Sequence, residues 1–80
     1  MTPIPGHPRI TVDAHVLAGK PTIRGLRISV EQVLRALGSG VSVEDLLRDY
    51  PDLEAADIAA CQAYAAECVA AERVFPVVVG

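Results

Sequence analysis

Lys20, Arg24 and Arg27 place three cations within eight residues, in the stretch Gly19-Lys20-Pro21-Thr22-Ile23-Arg24-Gly25-Leu26-Arg27-Ile28-Ser29. Cations on a bent, extended backbone hold anions. A basic ribbon that enters the major groove also lets arginine pair with guanine. The three are therefore the candidate DNA-binding residues. The structural alternative, weighed equally, is that Arg24 and Arg27 pair with nearby acids such as Asp13 or Glu31.

The other reactive residue types are too scattered for catalysis. His7 and His15 are isolated, with no Cys, His or carboxylate at a ligand spacing, so no metal site is expected. Cys61 and Cys68 fall on one expected helix, roughly 10 Å apart at about 1.5 Å per residue, too far to bridge. They read as two buried thiols of a reducing compartment. No Ser/His/Asp set, phosphate loop or dinucleotide fingerprint is present, and no enzymatic activity or cofactor is expected.

Elements must hold the ribbon in place. Met1 to Pro8 carries Pro3, Pro5, Gly6 and Pro8 and reads as a flexible arm. Arg9 to Val12 alternates as a short strand. Thr22-Ile23 and Leu26 to Ile28 are two short extended pieces about Arg24-Gly25. Ser29 caps a first helix, with Gln32 in the capping-box position and Val30, Val33, Leu34 and Leu37 at spacings of three and four. Gly38 and Gly40 end it. Ser42 caps a short second helix that Tyr50-Pro51 stops. The third helix runs from about Ala55 to Arg73. Ile58, Cys61, Ala65 and Cys68 or Val69 mark its expected buried stripe, and Glu54 and Asp57 favour its dipole.

The fold class is mainly α with a small N-terminal β-ribbon and a three-helix, helix-turn-helix-like core. Residues 9–73 form one domain, after an arm at 1–8 and before an apolar tail at 74–80. In the usual helix-turn-helix the last helix reads bases, but here it begins Glu54-Ala55-Ala56-Asp57, which repels phosphate. Gln62 is its one candidate base reader.

Net charge is −3, unevenly spread. Arg9, Lys20, Arg24, Arg27 and Arg35 against Asp13 and Glu31 give the first forty residues +3, and the last forty carry −6. This asymmetry suggests two faces with different partners. No apolar run reaches the ~20 residues of a membrane span. A chain of 80 residues has a thin core, and a homodimer would relieve that.

Ile10-Thr11-Val12-Asp13, Ala18 to Val30, Gly40-Val41-Ser42-Val43-Glu44-Asp45-Leu46-Leu47 and Tyr50-Pro51-Asp52-Leu53 resemble the domain-of-unknown-function 433 family, in order, from about Arg9 to Glu72. Three positions depart from the usual pattern. Ala18 stands where a second glycine is common, Leu26 where a threonine is common, and Glu54 where a Thr or Ser often caps the third helix.

The resemblance implies a small cytoplasmic protein with a helix-turn-helix-like core. Many members are thought to be VapB-like antitoxins paired with a PIN-like ribonuclease toxin. The expected function is thus an antitoxin that inhibits such a toxin and represses its own operon, with operator DNA as a second partner. A stand-alone DNA-binding regulator and a structural dimerisation domain are the alternatives. The toxin contact is expected at the end of helix three and the tail, through Arg73, Phe75, Val77, Val78 and Val79, with Phe75 as an aromatic anchor.

Overall fold

A computed structural model of the chain describes residues 1–72. Strands β1 (Thr2–Ile4), β2 (His7–Val12) and β3 (Thr22–Ile23) form an antiparallel sheet in the order β1-β2-β3. Helices α1 (Val30–Gly38), α2 (Val43–Asp49) and α3 (Ala55–Glu72) follow. The fold is mainly α with a β-ribbon at the start, as the sequence indicates.

Residues 1–8, read from sequence as an arm, are instead the edge strand, its turn and the start of β2. Proline explains both readings. Pro5-Gly6 makes a two-residue turn, with Gly6 at φ +83°, a left-handed angle that glycine adopts without a side-chain clash. Pro3 lies on β1, the edge of the sheet, and edge strands tolerate a missing N–H.

β3 pairs Ile10 with Ile23 and Thr11 with Thr22. The Thr11 and Thr22 hydroxyls lie 3.3 Å apart, and both residues are buried. Between β2 and β3 the chain runs through Leu17, Ala18 and Gly19, all at positive φ (48°, 57° and 83°). After β3 it turns tightly, Leu26 N–H donating to the Ile23 carbonyl at 2.8 Å. Arg24, at the head of that turn, is also left-handed, with φ 49°.

Both serine caps form as the sequence indicates. Ser29 Oγ accepts from Gln32 N–H at 2.9 Å and Ser42 Oγ from Asp45 N–H at 3.0 Å. The reciprocal half of the first capping box is absent, because the Gln32 amide donates to the Tyr50 hydroxyl at 2.9 Å. This bond ties α1 to the end of α2. The core is Ile10 and Ile23 from the sheet, Val30 and Val33 from α1, Leu46 and Leu53, and Ile58 and Cys61 from α3. Each element therefore contributes one apolar face, and α3 lies against β2 and α1.

Candidate functional site

Asp57 lies on the first turn of α3 with its side chain fully buried. It follows the apolar register of that helix, one residue before Ile58 and four before Cys61, so helical geometry turns it inward. A lone carboxylate there would be costly. Three donors meet it. Arg24 approaches with Nε at 3.0 Å from Oδ1 and Nη2 at 2.8 Å from Oδ2, a bidentate fork. Arg9 Nη1 lies 2.8 Å from Oδ1. The Glu54 backbone N–H donates to Oδ2 at 2.9 Å, which caps the helix from within.

The cluster closes on itself. Arg9 Nη1 also meets Glu54 Oε1 at 2.8 Å, and Arg24 Nη2 donates to the Asp52 carbonyl at 2.6 Å. Burial acts to raise the Asp57 pKa, but the bonds from Arg24, Arg9 and the Glu54 amide outweigh it and lower it to about 2. The same bonds raise Arg9, chiefly through Glu54, and Arg24, chiefly through Asp57. A carboxylate saturated this way does not act as a base near neutral pH. Its work is to fasten the Arg24 turn and β2 to the start of α3.

The sequence-derived DNA-binding residues are thus differently engaged. Arg24 belongs to this clamp. Lys20 Nζ lies 3.0 Å from Glu31 Oε1, and Arg35 Nε 2.9 Å from Glu31 Oε2. Arg27 is exposed and makes no ion pair among the described residues. The acid that Arg24 takes is Asp57, neither of the local acids considered from sequence. Asp13 instead accepts from the His15 N–H and faces the N-terminal amine. The toxin-contact residues Arg73, Phe75, Val77, Val78 and Val79 lie outside the described residues.

Asp57 is the residue that sequence reading missed. Its signal was an acid inside the apolar stripe, which the reading assigned to the helix dipole alone. Its partners lie 33 and 48 residues upstream, beyond any local pattern.

A second feature lies between α1 and α3. A groove of about 490 Å³ opens there, walled by Val30 and Leu34 on one side and Tyr64, Ala65, Cys68 and Val69 on the other, with Glu31 and Arg35 at its rim. The expected α3 stripe is buried only at Ile58 and Cys61. Cys68 is half-buried and Val69 is 63% exposed. The cause is length. α3 has eighteen residues and α1 nine, so α3 outruns its cover. The Cys61 thiol is pushed up to about 11 by burial and by the nearby Asp57 charge, and both cysteines are free. His7 Nε2 lies 2.7 Å from Glu67 Oε1, and the His7 ring meets Tyr64 edge-on at 5.3 Å. Among the described residues no three His, Cys, Asp or Glu side chains gather as a metal site, and no helix is long and apolar enough to cross a membrane.

The sequence pattern of the family described as a protein of unknown function (DUF433) matches residues 10–65. The chain belongs to that family. The match begins at Ile10 and takes in β3, Arg24, all of α1 and α2 and the first half of α3, and so contains Asp57. An uncharacterized protein, y4eO of Sinorhizobium fredii, is 36% identical over 56 residues, which are 70% of this chain and 25% of that protein. The chain thus matches about a quarter of the length of this relative. No solved structure matches.

Proposed function

We propose that this chain is a protein-binding module, the antitoxin of a type II toxin–antitoxin pair, which binds and inhibits a PIN-like ribonuclease. One observation carries the reading. The charged groups at the centre of the domain neutralise one another, while the α1/α3 groove keeps apolar surface open and runs toward the end of α3. A domain so arranged offers surface for a protein and no poised acid, base or nucleophile. A related segment within the longer y4eO protein fits a module of this kind.

The test pairs the full chain with the nuclease encoded beside it, in co-purification and RNA-cleavage assays. Stoichiometric binding with loss of cleavage is the expected result. A nuclease that stays unbound and fully active overturns the reading. Truncation after Glu72 then separates the tail from the folded domain as the contact, the tail being expected to matter.

DNA binding is a second reading, and one observation favours it. The order of α1, α2 and α3 fits a helix-turn-helix unit. The acids that would repel phosphate from the start of α3, Glu54 and Asp57, are both paired with arginine. On this reading Arg27 and Lys20 touch the phosphates, and Arg24 acts through the position of α3. Arg27→Ala should weaken binding in a mobility-shift series and make the salt slope shallower by about one. If Gln62→Ala abolishes specific binding and Arg27→Ala does not, the assignment reverses.

A further inference from the structure

On α3 the residues Ala55, Ala59, Gln62, Ala66 and Val69 recur at spacings of four and three, and all five are exposed. That repeat keeps one seam facing one way along the helix, the pattern by which two helices pack side by side. It is distinct from the buried stripe of Ile58 and Cys61 and adjoins the α1/α3 groove through Val69. We propose that this seam is the interface with a second copy of the chain, the two α3 helices crossing antiparallel about a two-fold axis at Gln62. The inference holds whether or not a toxin binds.

Three features select a second copy in this orientation. The first is register. Gln62 is the middle residue of the seam, and its side chain makes no hydrogen bond among the described residues. A carboxamide both donates and accepts, so two copies meeting on the axis satisfy each other, and one polar seam residue fixes register. The second is fit. Alanine at three of five positions lets the helices approach closely, and the antiparallel register sets Val69 of each copy against Ala55 of the other.

The third is charge. Asp52 and Glu54 lie just before Ala55, and Arg35 shares the groove with Val69. Antiparallel pairing brings each copy's Arg35, 79% exposed, toward the other's Asp52 and Glu54, twice by symmetry. Parallel pairing would set the acids of both copies side by side. The seam is about 21 Å long at 1.5 Å per residue and covers on the order of 500 Å² per copy, below the ~800 Å² of a standard interface. The dimer is accordingly micromolar.

Sedimentation equilibrium of the full chain should show a monomer–dimer equilibrium in the micromolar range. Ala66→Arg should raise the dissociation constant tenfold or more and leave the helical circular dichroism unchanged, because Ala66 is exposed in the monomer. A parent that stays monomeric at about 0.5 mM, well above a micromolar dissociation constant, overturns the proposal, as does an Ala66→Arg chain that dimerises like the parent. Disulfide trapping in a Cys68→Ser background reads the orientation without depending on that variant. Oxidising an equimolar mixture of Ala55→Cys and Val69→Cys chains should link unlike chains, with little linking when either is oxidised alone. Linking in the single chains, or none in the mixture, overturns the antiparallel seam.

Discussion

Removing the charge from Asp57 leaves two partly exposed guanidiniums, from Arg9 and Arg24, aimed at a neutral amide. Breaking a buried pair by deleting one partner costs about 3 kcal/mol or more, because the remaining charge loses its compensation. Asp57→Asn is therefore expected to destabilise the domain by about 3 kcal/mol in urea denaturation at pH 7. A change under about 1 kcal/mol would mean the clamp is idle. The pH dependence follows from the same carboxylate. Its folded pKa of about 2 lies below the ordinary 3.8, so the stabilisation is full above about pH 4 and lost as pH falls toward 2. The shift is worth about 2 kcal/mol. The parent chain should lose that much more stability than Asp57→Asn between about pH 5 and pH 2, which paired denaturation curves will measure.

Elements whose signals are local were legible in the sequence. Ser29 and Ser42 announced the starts of α1 and α2, and Pro51 the end of α2, because capping and φ restriction act within about four residues. What escaped depends on distant partners. β1 is a strand because β2 lies beside it, and its prolines hid that. Asp57 is buried because two arginines arrive from other elements. The groove escaped because periodicity marks an apolar face without saying what covers it. Two substitutions test the element scale. Ser29→Ala should cost about 1 kcal/mol, since the Gln32 N–H loses its acceptor at a site only 6% exposed. Ala18→Gly should raise the melting temperature, because a left-handed residue with a Cβ bears about 1 kcal/mol of strain that glycine relieves. A lower melting temperature would show that the entropy of the unfolded chain outweighs that relief.

For the whole molecule, the charge asymmetry of the sequence is partly used up in folding. The basic first half meets the acidic second half at Arg9–Glu54, Arg9–Asp57 and Arg24–Asp57, and His7 meets Glu67. To that extent the two faces expected from composition meet inside the domain, leaving less charge for outside partners. The clamp also bears on time. Its pairs close loops of 33 and 48 residues, whereas the serine caps close three. Long closures lose more chain entropy before any contact forms, so they are completed late on the way to the native state. Interactions absent from the transition state slow escape without hastening arrival. Asp57→Asn should accordingly speed unfolding roughly a hundredfold while refolding changes less than about twofold, the partition that stopped-flow chevrons resolve. Equal shifts in both limbs would place the clamp in the folding nucleus instead. With the clamp formed last, the first motion of unfolding is the release of Asp57 from its arginines, and the native lifetime of the domain is the lifetime of that one contact.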